Sequence, residues 1–342
     1  MKSIALLLFF ALVTVSSAIS QDFDYSFKET YKVSTPAQLS ISSSDGNIDV
    51  LPGNGSEIEV FFVVKQNGRM LDISRTQLEE ELTLTIIKTG SSVDITVKYP
   101  NNSWNIDWRD RINVDFKVYA PKETTGDLRS SDGNVTIKGM TASQKLKTSD
   151  GNIVLAEITG DVSGVTSDGN IRGEKIKGSV YSRTSDGNID FNNVIGDVES
   201  TTSDGNIRLT NINGTARAHT SDGDIEIYNA KGKTHTAQTS DGDIYFEDLA
   251  GGMEAIASDG SIKGNIIELR GSLRAKTSDG NIEISVPDNL GMNLYVKGES
   301  VDVPLVNFSG RSTKEVIDGK TNGGGVDVNL TTSDGRIRLV YR

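Results

Sequence analysis

One carboxylate recurs along this chain in a fixed neighbourhood. The tripeptide Ser-Asp-Gly occurs eleven times, with its aspartates at Asp45, Asp132, Asp150, Asp168, Asp186, Asp204, Asp222, Asp241, Asp259, Asp279 and Asp334. From Asp132 to Asp222 they stand 18 residues apart five times running, and the next gaps are 19, 18 and 20. Stacked copies would bring neighbouring carboxylates about 5 Å apart, at roughly 1 kcal/mol per pair in a water-like dielectric. Backbone N–H donors, raised pKa values or a bound cation would relieve that repulsion. Asp-Gly is a strong turn signal, because glycine tolerates positive φ and aspartate bonds nearby backbone N–H groups. The aspartates from Asp132 to Asp279 are therefore read as structural turn residues, with Gly205 expected at positive φ. The alternative is a Ca²⁺ ladder. Calcium-binding solenoids of the GGxGxD type share the 18-residue coil but supply acidic turns on both sides, where this chain has one per coil. The weak Ca²⁺ candidates are Asp222, Asp224, Asp241 and Asp243, where aspartate replaces the usual asparagine. No other cofactor is expected.

Two further groups of residues invite chemistry. Trp104 and Trp108, beside Asp107, Arg109, Asp110 and Arg111, could stack on sugar rings; the plainer reading is a cap packed over the first coil. His219 and His235 fall at different distances before their aspartates and read as two surface imidazoles. Catalysis has no convincing seat. An aspartate in every coil supplies carboxylate pairs everywhere and a unique glycosidase pair nowhere. No G-x-S-x-G, H-E-x-x-H or phosphate-binding loop is present. The breaks in the repeat, where a site would sit, are the Trp segment, Ala255–Gly264 (Ser261 for Asn, Gly264 for an apolar residue) and Pro287–Val328.

These residues need a scaffold, and the period describes it. Around Asp204, Val198, Ser200 and Thr202 alternate with Glu199, Thr201 and Ser203, then Ile207, Leu209 and Ile212 face inward. The rung around Asp186 repeats this with Val180, Ser182, Thr184, Ile189, Phe191 and Val194, and the rung around Asp279 with Leu273, Ala275, Thr277, Ile282 and Ile284. Alternation by two means strand. An 18-residue unit cannot bury its own inner face, but stacked units can. The expected fold is all-β, a parallel β-solenoid of about 18 residues per coil, with an axis of roughly 38 Å over the eight intervals from Asp132 to Asp279. A propeller blade would need roughly 40–50 residues, and a hexapeptide helix would place apolar residues every six. Small inward residues (Ser182, Ser200, Ala218, Ala255, Ala275) suit a narrow section.

The ends are less regular. Residues 21–125 read as irregular first coils plus a cap, with strand-like runs at Ile58–Lys65, Leu82–Lys88 and Val93–Tyr99 and a short helix over Arg75–Leu82. Residues 126–342 continue them as regular repeats of the same domain, with irregular coils over Pro287–Val328 and a mobile glycine loop at Asn322–Gly325. Residues 1–20 read as a secretory signal, with Lys2, an apolar run from Ile4 to Val15 and a small-residue end; cleavage is placed after Ser20, with Ala18 as the other site. About 12 apolar residues are too few to span a bilayer, and no later stretch approaches the ~20 required. The expected location is extracellular, cell-surface or periplasmic. Over 342 residues the formal charge is −12, which argues against nucleic acid and anionic membrane as partners. The absence of cysteine excludes disulfides and a lipid-anchored thiol.

The recurrent Thr-Ser-Asp-Gly-Asn-Ile, followed by alternating apolar residues and a Gly-x-Val step, resembles the bacterial family named "putative adhesin". The likeness runs from Phe23 to Arg342 and includes Ser285-Val286-Pro287 and the last glycine-rich loop before Thr332-Ser333-Asp334-Gly335. More loosely the chain is similar to head domains of autotransporter adhesins of Bacteroidetes-type bacteria. The resemblance implies a secreted or surface β-strand repeat protein, and carries no catalytic residues with it. The expected function is that of an exported, non-enzymatic adhesin or cell-envelope scaffold, binding a surface glycan or protein and open to end-to-end self-association. The alternatives are a polysaccharide-acting enzyme on a β-solenoid and a periplasmic structural component.

Overall fold

A computed structural model of the chain describes residues 23–99 and 112–342. The expected parallel β-solenoid is what it contains. One coil consists of the short strand Val180–Arg183, the Ser185-Asp186-Gly187 turn and the longer strand Ile189–Ile195. The next coil lies on it in parallel register, Ile189 opposite Ile207, Phe191 opposite Leu209, Val180 opposite Val198. Every inward position expected above is buried, the serines and threonines included. The longer strand kinks at one residue in the left-handed region: Glu157, Lys175, Asn193, Asn211, Asn229 and Asp248 have φ between 48° and 59°. The kink resets the alternation, so that Phe191 and Val194, three apart, both face the core. The core is one continuous apolar column from end to end. Its narrow side holds the small residues, where Ser182 Oγ donates to Ser200 Oγ at 2.8 Å.

The turn is built differently from the expectation in two respects. First, the aspartates do not cap it. Their carboxylates face solvent, and none of those from Asp132 onward takes part in a hydrogen bond or ion pair among the described residues. The capping group is the buried threonine two residues earlier. Thr202 Oγ1 lies 2.9 Å from Ser185 O and 3.0 Å from Gly187 O in the coil below, and accepts from Gly205 N at 3.3 Å. An inward hydroxyl at a corner reaches backbone groups of two coils, whereas an outward carboxylate reaches water. Second, Gly205 does not have positive φ. A Cβ on it would stand 1.9 Å from Gly187 O, so glycine is required by close backbone stacking and not by left-handed geometry. The repulsion between stacked carboxylates is left to solvent screening.

Above the turn runs a second ladder. Asn134, Asn152, Asn170, Asn188 and Asn206 each accept, through Oδ1, the backbone N–H of the equivalent residue in the next coil at 2.8–2.9 Å. It starts at the nearly buried Asp115, which accepts from Asn47 N at 2.8 Å and Lys65 Nζ at 2.6 Å. One turn lacks its hydroxyl cap, because Ala257 stands where the other turns carry threonine or serine. Ala257→Thr is expected to add about 1 kcal/mol by supplying the missing acceptor for Gly260 N, read as a higher urea midpoint; an unchanged or lower midpoint would show that this coil cannot admit the side chain.

Both ends reverse the order of coils. At the start, the coil Ala37–Ser42 and Ile48–Pro52 pairs on one side with the regular stack and on the other with the later strands Ser92–Lys98 and Ile112–Ala120. At the finish, Val326–Thr331 and Arg336–Tyr341 pair directly with the Asp279 coil, and the earlier strands Met292–Lys297 and Ser300–Asp302 lie outside them. The segment 287–325 is thus an excursion over the end and not a set of coils inserted between Asp279 and Asp334. In consequence all eleven Ser-Asp-Gly turns stack without a gap: Asp132 N bonds Ser44 O, and Asp334 N bonds Ser278 O. Ten intervals at about 4.8 Å make a ridge of about 48 Å. Antiparallel strands close both ends: Glu57–Gln66 and Thr83–Thr89 at one, Val316–Thr321 at the other. A second copy stacking end to end meets these strands and not a bare coil edge. The short helix, Arg75–Glu81, has a Ser74/Gln77 capping box and buries Leu78.

Candidate functional site

Outward side chains stand in columns along the axis, and the columns differ in charge. On the longer-strand face one column pairs most of its charges within itself, while Lys177, Lys231 and Lys263 on the same face have no carboxylate in salt-bridge distance among the described residues. Arg172 lies 3.9 Å from Asp190, Arg208 Nε donates to Glu226 at 2.6 Å, and Arg338 sits between Glu283 at 3.7 Å and Asp302 at 3.9 Å. Tyr228 and Tyr245 lie between these pairs with ring centroids 5.6 Å apart, and Tyr245 Oη donates to Glu247 at 3.0 Å. Desolvation, with the carboxylates beside them, raises both phenols above their ordinary range.

The shorter-strand face carries a column without a single acid. Arg129, Lys147, Arg183, His219, Lys276 and Lys297 lie in it, separated by Val165, Thr201, Gln238, Ile256 and Thr331. Arg129 pairs with Asp127 at 2.8 Å. Lys147, Arg183, Lys276 and Lys297 have no carboxylate within salt-bridge distance among the described residues.

That column ends in a concave site. A groove of about 600 Å³ opens where the outermost coil meets the last Ser-Asp-Gly turn, lined by Lys276, Tyr295, Lys297, Thr331 and Ser333 together with Glu299 and Glu315. The reversal of coil order makes it: Thr331 is paired with Lys276 on one side and Lys297 on the other. Arg274, Asn329 and Tyr295 form the next column in the same three coils, with Tyr295 42% exposed. Six outward side chains thus make a small grid with two unpaired cations, Lys276 and Lys297, an amide, a hydroxyl and an aromatic ring, Arg274 being paired with Glu254 at 3.1 Å.

The residues singled out by sequence are placed as follows. Trp104 and Trp108, like residues 1–20, lie outside the described residues. Asp222 and Asp241 are ridge carboxylates. Asp224 and Asp243 have taken over the asparagine ladder, accepting from Asp243 N at 2.8 Å and Ser261 N at 2.7 Å. Among the described residues no group of three or more acids or histidines is placed to hold a metal. His219 is exposed, but His235 is fully buried, which corrects its reading as a surface group. It fills the inward column of Val198 and Ala216, accepts from Ala216 N at 3.2 Å through Nδ1, and faces Ala250 O at 3.3 Å through Nε2.

That geometry needs a neutral ring, and desolvation lowers the His235 pKa from its ordinary 6.5 despite the Ala250 contact. The resulting stability is present in full above the unfolded value near 6.5 and is lost as pH falls below it toward the folded value. The melting temperature is expected to fall between pH 7 and 5 by more in the native protein than in His235→Met. Equal slopes would show that His235 carries no proton-linked stability.

No helix among the described residues is long and apolar enough to cross a membrane. No curated protein matches the chain. Among solved structures, a crystal structure titled as a putative cell adhesion protein from Clostridium sporogenes ATCC 15579 aligns over 92% of this chain and 99% of its own, at 8% identity and a TM-score of 0.21. The looser resemblance to autotransporter heads gains no support from these comparisons. The family model described as Toastrack DUF4097 matches residues 37–340, most of the solenoid and both of its closed ends, and the chain belongs to that family.

Proposed function

We propose that this protein is an exported, non-enzymatic binding scaffold of the cell surface or envelope, of the adhesin kind. The observation that carries this reading is one acid-free column of outward side chains and the groove at its end. This column on the shorter-strand face carries Lys147, Arg183, Lys276 and Lys297 with no carboxylate in salt-bridge distance among the described residues, and it ends in a groove. Ion pairs within a face stabilise the solenoid only slightly. Cations in register without carboxylate partners gain no ion-pair stabilisation and leave their charge available to a partner. A repeat of one fold unit, presenting long flat faces of outward side chains, is the physical form of an extended binding surface.

Protease shaving of intact cells carrying an epitope-tagged copy tests the location. Loss of the tag while the cells stay sealed places the protein outside and supports adhesion. Survival of the tag until the outer membrane is opened overturns adhesion and leaves an envelope scaffold.

A further inference from the structure

We propose that the C-terminal groove is a binding site for an acidic saccharide, a sugar ring bearing a carboxylate. This deepens the binding reading above and rests on it for its biological meaning, though not for its chemistry. Lys276 and Lys297 flank Thr331 at two interstrand steps, about 10 Å between their backbones. Their ammonium groups have no ion-pair partner among the described residues. A carboxylate over the Thr331 hydroxyl lies between both cations.

The neighbouring column supplies what a sugar ring needs beyond charge. Tyr295 offers an exposed aromatic face for the apolar side of the ring. Asn329 and Thr331 offer donors and acceptors for hydroxyls at one strand step. Glu299 and Glu315 line the same groove and repel a carboxylate, which confines the acid group to the strip of Lys276, Thr331 and Lys297. The formal charge of −12 opposes any long polyanion at a distance, so attraction is confined to within about a Debye length of the two lysines. Short oligomers are therefore the suitable probes. The site exists only because the chain folds back over its own end, which brings residues 276, 297 and 331 into adjacent strands.

Calorimetric titration of the protein with a galacturonate trimer, its methyl ester and a glutamate peptide of equal charge tests this. The trimer is expected to bind, and the ester at least tenfold more weakly because the ring is kept and the charge removed. The double variant Lys276→Gln/Lys297→Gln is expected to lose at least tenfold for the trimer, and Tyr295→Ala several-fold. All three side chains point outward, so circular dichroism and melting should be unchanged. No binding of the trimer at millimolar concentration overturns the proposal, as does an ester that binds equally well. A glutamate peptide that binds as tightly and ignores Tyr295→Ala also overturns it, in favour of an acidic protein partner. The titration is independent of location. A tag lost to shaving with a silent titration sinks this site alone, and a shielded tag with a positive titration sinks only the surface role.

Discussion

Gly205→Ala is expected to destabilise the protein by about 3 kcal/mol or more, at or beyond the upper end of what overpacking costs. The added Cβ would stand 1.9 Å from Gly187 O, 2.5 Å from Gly187 C and 3.0 Å from Asn188 N. All three are backbone atoms, and they are stacked equally closely one coil below, where a Cβ on Gly187 would stand 1.9 Å from Gly169 O. A flexible side chain could move aside, but a stacked turn can move only by opening the hydrogen bonds from Ser203 N and Asp204 N to Ser185 O. Because each coil touches only its neighbours, the damage is local and divides the stack into two blocks. Urea unfolding should show an earlier and broader transition, with a smaller first m-value. Gly164→Ala is the control. Its Cβ would meet Ile153 and Ile171 at 3.5 Å, ordinary contact, at a φ that alanine accepts, so it should be neutral or stabilising by up to about 1 kcal/mol. Equal midpoints for the two variants would show that close stacking does not explain the repeated glycine.

This prediction keeps the direction that Asp-Gly suggested and changes its cause, and the change shows what a single sequence conveys here. Period and alternation are properties of every coil, so errors average out and the inward set from Val180 to Ile284 was legible. The role of each polar turn residue was not, because threonine, serine and aspartate are all good turn formers. Thr202 had already been placed on the inward side, and only an inward hydroxyl can reach two stacked carbonyls at once. His235 was legible and misread. It lies six residues before Asp241, as Val198 lies six before Asp204, so the count alone puts it in the buried column. The groove had no local signal. Lys276, Lys297 and Thr331 are far apart in sequence and meet through the reversal of the last coils, which the regular period cannot encode.

Gly264 was legible as a break in the apolar pattern, and the structure gives its reason. It lies in register with Phe246 one coil away, as Gly173 does with Phe191, and each pair is 18 residues apart. A Cβ on Gly264 would stand 2.0–2.3 Å from three atoms of the Phe246 ring, and one on Gly173 would stand 2.2 Å from Phe191. Each ring packs against a large side chain in one neighbouring coil, Leu209 for Phe191 and Ile227 for Phe246, and spreads over the glycine of the other, taking up the space of its missing side chain. Phe246→Ala is expected to cost 3–5 kcal/mol, the range for a fully buried phenylalanine. Gly264→Ala alone should cost about 1–3 kcal/mol by overpacking. Their combination with a smaller ring partner, Phe246→Leu/Gly264→Ala, should be more stable than the sum of its single changes by about 1–2 kcal/mol, because the new methyl fills what the lost ring atoms vacate. Urea midpoints of the four members of this cycle measure the coupling directly. Additivity within about 0.5 kcal/mol would show that the ring and the glycine do not share one volume, and that Gly264 interrupts the pattern for another reason.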